Sequence, residues 1–266
     1  MPLAEIERAF ARRPALMPYF PLGYPDLDTS LAVIESITRG GADLIEIGLS
    51  FSDPLADGPV IQRATQIALQ NGMTIARSLD MVAELRRRAV RVPFLLMGYF
   101  NPMLAYGLSS LVADAARAGA DGFIVPDLPI EESDELDALC GEHNLALIHF
   151  LAPTSTPERI ERVARRARGF LYLVSLTGIT GARGQLPDGL TQFVDRVRSR
   201  TSCPLAVGFG ISTPEQAAAV GRIADGVIVG SALVAKASDG NAPEAAGAFV
   251  RALHEQLRKT TLPPDK

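Results

Sequence analysis

Eight short runs of residues that are apolar on both faces, separated by longer amphipathic stretches, constrain this chain more than any other feature. The runs lie at 15–20, 43–48, 93–98, 122–127, 146–151, 170–175, 204–209 and 225–230. A strand with one wet face alternates polar and apolar residues. One without alternation is covered on both sides, as in a parallel sheet flanked by helices. Helical periodicity shows between the runs, at 30–41, 74–89, 108–119, 132–143, 157–167, 190–200 and 213–222, and a further helix at 3–13 precedes the first strand. Eight such units in 266 residues predict an α/β fold, a (β/α)8 TIM barrel with an extra N-terminal helix, as a single domain over 1–266. The rival, a doubly wound open sheet, usually needs fewer strands, and no Gly-x-Gly-x-x-Gly follows the first run. The unit also echoes itself. Gly40-Gly41-Ala42-Asp43, Ala118-Gly119-Ala120-Asp121 and Ile223-Ala224-Asp225-Gly226 each close a helix and enter a strand. Glycine ends the helix and small residues permit close helix–strand packing, so the echo marks a repeated unit and carries no chemistry.

Composition removes several classes of function. With 47% hydrophobic residues the chain can build a sizeable core and is not wholly disordered. A formal charge of −4, from 26 Lys and Arg against 30 Asp and Glu, lacks the basic excess that binding a nucleic-acid duplex needs. Basic runs at Arg86, Arg87, Arg88 and Arg91 and at Arg162, Arg165, Arg166 and Arg168 end helical patterns. There, cations on a solvated face complement the helix dipole. Cys140 and Cys203 are far apart and only three histidines are present, so no metal site and no disulfide framework is expected. Near the N-terminus Glu5 and Glu7 precede Arg12 and Arg13, and the apolar stretch is broken by Pro14, Pro18 and Pro21, unlike a secretory signal. No run approaches the ~18–20 apolar residues of a membrane span. The expectation is a cytoplasmic protein that meets neither membrane nor nucleic acid.

In a barrel of this kind reactive groups sit at the C-terminal strand ends and in the loops that follow. In Leu44-Ile45-Glu46-Ile47-Gly48 a carboxylate interrupts an apolar strand. Lysine and arginine are almost absent from the strands, so Glu46 has no obvious core partner. An unpaired buried carboxylate has a raised pKa, suited to general acid–base work near neutrality. The loop beyond it, 50–59, holds two prolines and two acids, Asp53 and Asp57. Either acid alone is an ordinary turn or capping residue. Spacing does not choose which one joins Glu46. After the sixth strand, the Gly- and Thr-rich stretch Thr177-Gly178-Ile179-Thr180-Gly181 offers backbone N–H groups for a phosphate, or a lid. Gly208-Phe209-Gly210 and Gly230-Ser231 end the seventh and eighth strands, a common place for phosphate at a helix N-terminus. His149 reads as a satisfied or outward-facing histidine, and Asp127 as a residue that orients a loop. Phe20, Leu96, Phe150 and Tyr172 lie near strand ends, where they suit an apolar pocket for a planar ring.

Several of these segments together resemble the tryptophan synthase alpha subunit family. They are Ile45-Glu46-Ile47-Gly48 with Ser52-Asp53-Pro54-Leu55-Ala56-Asp57-Gly58-Pro59, Pro126-Asp127-Leu128-Pro129, 152–156, 177–183, 208–212 and 230–234. The resemblance runs from about the first strand to the last helix, and the 52–59 motif is its most specific part. It implies a (β/α)8 barrel lyase of tryptophan biosynthesis, which cleaves indole-3-glycerol phosphate into indole and glyceraldehyde 3-phosphate by a retro-aldol reaction. It implies no cofactor in this chain, with pyridoxal phosphate only in a partner beta subunit that receives the indole in an α2β2 complex. By motif, Glu46 corresponds to the proton-shuttling carboxylate and Asp57 to the aspartate that bonds the indole N–H. Tyr172 and Thr180 correspond to an active-site tyrosine and a lid threonine. Gly181, Gly210, Gly230 and Ser231 correspond to phosphate contacts, and Phe20, Leu96, Ile124, Phe150 and Phe209 to the indole pocket. The chemistry is coherent, since protonating the ring at C3 avoids a carbanion and a nearby anion offsets the charge that develops at N1.

One departure bears on the partner. Where the family usually has proline before the aromatic residue of the motif, this chain has Ser50, which leaves a looser loop near the expected beta-subunit contact. The expectation is a contact weakened or absent, and the alternative function is a stand-alone indole-3-glycerol-phosphate lyase that releases free indole. A sugar-phosphate isomerase or epimerase on the same scaffold would share the phosphate site without needing Glu46 and Asp57. A non-catalytic activator of a beta subunit would need neither carboxylate.

Overall fold

The computed structural model describes residues 2–11, 14–174, 189–208, 210–238 and 240–260. All eight apolar runs form strands: β1 (Ala15–Pro21), β2 (Ile45–Gly48), β3 (Phe94–Met97), β4 (Gly122–Ile124), β5 (Ala146–Leu151), β6 (Leu171–Val174), β7 (Leu205–Gly208) and β8 (Gly226–Val229). They pair in parallel in sequence order, and β1 closes on β8 with Ala15 opposite Gly226. The result is a closed (β/α)8 barrel.

The helices are α1 (Pro2–Ala9), α2 (Leu27–Arg39), α3 (Pro59–Gln70), α4 (Ile75–Arg87), α5 (Phe100–Tyr106), α6 (Leu108–Ala118), α7 (Asp134–Glu142), α8 (Pro157–Arg166), α9 (Leu190–Arg198), α10 (Pro214–Gly221), α11 (Ser231–Lys236) and α12 (Ala242–Arg258). Their starts follow capping chemistry. Asp26 accepts from Thr29 N–H at the head of α2, and Thr213 with Gln216 forms a capping box on α10. Periodicity did not single out α3, α5 and α12. The buried face of α3 rests on the small residues Ala64, Thr65 and Ala68, and that of α12 passes from Ala242, Ala246 and Gly247 to Val250, Leu253 and Leu257. The small residues allow close packing. A Cβ on Gly247 would lie 2.3 Å from Ser36 Oγ of α2.

The strand side chains sort into two layers. Leu16, Phe20, Ile45, Ile47, Leu96, Phe123 and Leu147 face the helices, and Met17, Leu44, Leu95, Ile124, Ile148, Phe170 and Ile228 fill the barrel. The N-terminal helix belongs to the inner layer: Ile6 and the following Phe10 join it, and Phe10 lies 5.4 Å from Phe170, ring to ring. This α1 plug closes the N-terminal end of the barrel.

The sequence echo acquires a function here. Asp43 accepts from Leu16 N–H at 2.8 Å, Asp121 from Phe94 N–H at 2.8 Å and Asp225 from Leu205 N–H at 2.9 Å. Each aspartate, just before its own strand, ties down the start of the preceding one. Each also meets an arginine: Arg258 on Asp43 (2.7 Å), Arg86 on Asp121 (2.7 Å) and Arg198 on Asp225 (3.0 Å). The expectation of a solvated basic face therefore fails for Arg86. Its guanidinium stacks on Phe94 at 4.0 Å and donates to the carbonyls of Gly119, Val90 and Val92. Arg87 and Arg88 keep to the exposed side of α4.

Candidate active site

The C-terminal strand ends open into a cavity of about 310 Å³. Glu46 stands at its base, on the inward face of β2. It is 1% exposed, its Oε1 has no hydrogen-bond partner, and among the described residues no cation pairs with it. Burial alone pushes its carboxyl up to about 8. At neutral pH Glu46 is therefore mostly protonated, the state a general acid requires.

Asp57 comes from the loop between β2 and α3. The loop is held from two sides: Gln62 donates to the Asp57 carbonyl at 2.9 Å, and the Tyr99 hydroxyl accepts the Ala56 N–H at 3.0 Å. Burial raises the Asp57 carboxyl to about 6, and the neighbouring Tyr99 hydroxyl pulls the other way. Asp57 therefore stays largely ionised at pH 7. Asp53, the other acid of the loop, is exposed and lines a surface crevice with Phe51, Pro54 and Leu55. The geometry thus separates two aspartates that spacing left equivalent.

Tyr172 projects inward from β6, stacks on Phe150 at 4.8 Å between ring centroids, and places its hydroxyl over Gly208 of β7. A Cβ on Gly208 would come within 2.7 Å of that oxygen. Gly210, just past β7, and Gly230 and Ser231, where α11 begins, also line the cavity. The first N–H groups of a helix have no partner within it and can face an anion.

Two expected pocket residues are elsewhere. Phe20 and Leu96 point outward into the helix layer, and Phe20 packs against Tyr24. Their neighbours Tyr19 and Met97 line the cavity instead. Side-chain direction alternates along a strand, so an offset of one residue reverses the face. Ile124 faces inward, within the inner packing layer rather than at the cavity wall. Thr180, Gly181 and Phe209 lie outside the described residues. His149 shares the outward face of β5 with Leu147 and Leu151, and its Nε2 is buried without a partner. Asp127 accepts from Phe100 N–H and so holds the start of α5. Sequence reasoning missed Tyr19, Met97 and Tyr99, of which Tyr99 carried a signal as a polar aromatic two residues past a strand end. Among the described residues no group of His, Cys, Asp and Glu is placed to hold a metal ion.

A closed (β/α)8 barrel whose aromatic-walled cavity is lined by two carboxyl groups, both raised by burial and one further than the other, defines an enzyme equipped for acid–base chemistry. The family model described as tryptophan synthase alpha chain matches residues 7–261. The chain is 54% identical over 237 residues to the tryptophan synthase alpha chain of Chloroflexus aurantiacus, covering 87% of this chain and 89% of that one. It is 46% identical over 255 residues to that of Dehalococcoides mccartyi, covering 96% and 100%. Among solved structures, the tryptophan synthase alpha subunit of Legionella pneumophila superposes with a TM-score of 0.89 at 35% identity, covering 96% of this chain and 98% of that one. A chain of Mycobacterium tuberculosis tryptophan synthase gives 0.87 at 38%, covering 96% and 97%. The chain belongs to the tryptophan synthase alpha chain family. It is accordingly a lyase of tryptophan biosynthesis that cleaves indole-3-glycerol phosphate.

Proposed function

We propose that Glu46 and Asp57 divide the acid–base work of this cleavage between them. The observation that carries the reading is a buried, unpartnered Glu46 and Asp57 lining one cavity, where burial raises Glu46 to about 8 and Asp57 only to about 6. Protonated Glu46 delivers its proton to C3 of the indole ring, and the resulting carboxylate takes the proton from the glycerol hydroxyl next to the ring. Asp57, ionised, accepts from the ring N–H and offsets the positive charge that grows there as C3 is protonated. The side chains of Phe150, Tyr172 and Met97 wall the ring, and Gly210, Gly230 and Ser231 take the phosphate. Thr180, Gly181 and Phe209 complete the lid, cradle and pocket in this reading.

The chain needs no cofactor for these steps. Its partner is a beta subunit, in an α2β2 complex, which holds pyridoxal phosphate and receives the indole. The loop after β2 supports a partner face: Leu55 is 92% exposed beside a crevice lined by Phe51, Pro54 and Pro59. Ser50 stands at the root of this loop with its Oγ buried and without a hydrogen-bond partner, and in place of the proline usual in the family it leaves the loop freer at this contact. Two free thiols, Cys140 and Cys203, suit a reducing, cytoplasmic setting.

The test is indole release from indole-3-glycerol phosphate, with and without a beta subunit. Slow turnover alone and strong stimulation by the partner is the expected outcome. Fast turnover without stimulation would make the chain a stand-alone lyase, and no turnover in either condition would overturn the assignment of Glu46 and Asp57.

A further inference from the structure

Tyr19 occupies a place in the site that wall-building does not account for. It is the register partner of Glu46 across β1 and β2, and only 5% exposed. Gly48, the next inward position on β2 after Glu46, leaves room for the phenol, whose oxygen lies 2.3 Å from where a Cβ would stand. From the helix side the buried Thr65 of α3 stands beside that oxygen. The titratable and charged groups facing the phenol are Glu46 on β2, Asp57 in the following loop, Tyr99 beyond β3 and, across the barrel, Tyr172 on β6.

A phenol hydroxyl beside a carboxylate has its own proton to give. Glu46 Oε1, buried nearby, has an acceptor site with no donor. A carboxylate formed there in mid-reaction, shut off from water, has a strong demand for one. We propose that Tyr19 is a positioning residue for the cleavage: seated over Gly48 with Thr65 at its side, its hydroxyl donates to the Glu46 carboxylate once that group has given its proton to the ring, and fixes the side chain for the return proton. The proton balance is that of the cleavage itself. Glu46 loses one proton to carbon and regains one from the glycerol hydroxyl, while Tyr19 keeps its own throughout.

This rests on Glu46 being the acid of the reaction, so the test reads the two separately. In the full chain labelled with 13C at the glutamate carboxyl carbons, the Glu46 resonance is assigned through Glu46→Gln and titrated in the parent, in Tyr19→Phe and in Thr65→Val. Losing the donor leaves the anion less stabilised, so Tyr19→Phe should raise the Glu46 midpoint by about half a unit to one unit. The alkaline limb of kcat should move upward with it, and at pH 7 kcat should fall roughly tenfold with KM within about twofold. Thr65→Val should shift both in the same direction by less, and the double variant no further than Tyr19→Phe. A midpoint and limb unmoved in both variants would overturn the proposal. Should Tyr19→Phe fold poorly, Thr65→Val decides by the same criterion. An inactive parent chain would remove the lyase reading, while the titration would still report whether the Tyr19–Glu46 bond exists.

Discussion

Asp43, Asp121 and Asp225 at one end of the barrel and Glu46 and Asp57 at the other are groups of the same chemistry in opposite circumstances. Each aspartate of the first set accepts a backbone N–H and meets an arginine within 3.0 Å. Among the described residues, Glu46 has no hydrogen-bond donor on its buried oxygen, and neither Glu46 nor Asp57 has an ion-pair partner. Burial raises Asp43 and Asp121, but their N–H donors and arginines pull back against it. For Glu46 nothing opposes burial. The difference shows how one barrel separates its tasks: the N-terminal end pairs its carboxylates and uses them to pin the strand starts, and the C-terminal end leaves one unsatisfied and gains a proton donor.

The hardest blow to the contrast is Glu46→Gln. Loss of the acid should lower indole release by about 10²–10⁴-fold with the fold intact, measured by kcat at pH 7. The same change should stabilise the protein in alkaline solution. The folded pKa of about 8 lies above the ordinary 4.5, so folding favours the protonated form, and stability declines as pH rises through that window. Melting temperature compared at pH 6 and pH 9 should show the variant gaining on the parent at pH 9, by an amount on the order of a few kcal/mol. A variant less stable than the parent at pH 9 would mean that Glu46 has a cationic partner after all.

The opposite end breaks in the opposite way. Asp121→Ala strands the buried Arg86 guanidinium and the Phe94 N–H, and should cost about 3 kcal/mol in denaturant unfolding. The kcat of the molecules that remain folded should not change, and a tenfold loss would erase the division between the two ends. Gly48→Ala tests the site's packing. Its Cβ would lie 2.3 Å from the Tyr19 oxygen and 2.7 Å from a ring carbon, so a cost of about 1–3 kcal/mol is expected, along with lost activity.

The pH profile sharpens the comparison more gently. With Asp57 ionised and Glu46 protonated in the working form, kcat/KM should follow a bell with limbs near 6 and near 8. Asp57→Asn should abolish the acid limb along with most of the activity. The smallest effect belongs to the exposed pair Arg87–Glu84 on α4. Arg87→Ala should leave both melting temperature and turnover where they were.

Much of this was visible before any coordinates. A carboxylate inside an apolar strand announces itself, because only burial without a partner or a hidden cation explains it, and the strands hold almost no cations. The error at Phe20 and Leu96 has the same origin as the success with the strands. A strand covered on both faces shows no alternation, so its residues reveal that it is buried and conceal which of them face inward. Tyr19 and Met97, one position away, were the inward ones. The three aspartates of the echo looked like packing punctuation because their acceptor role depends on N–H groups 20 to 27 residues distant along the chain.

By itself the sequence determined the number and order of strands, the parallel sheet with helices on its outside, and Glu46 as the anomalous charge, since periodicity and the cost of burying a carboxylate are local properties. Only the tertiary structure decided which face of each strand looks inward, which of Asp53 and Asp57 reaches the cavity, and that Tyr19 lies in register with Glu46 and Tyr99 beside Asp57. Those outcomes depend on closing the barrel, which brings distant segments within hydrogen-bond range and excludes the water that would otherwise make every carboxylate alike.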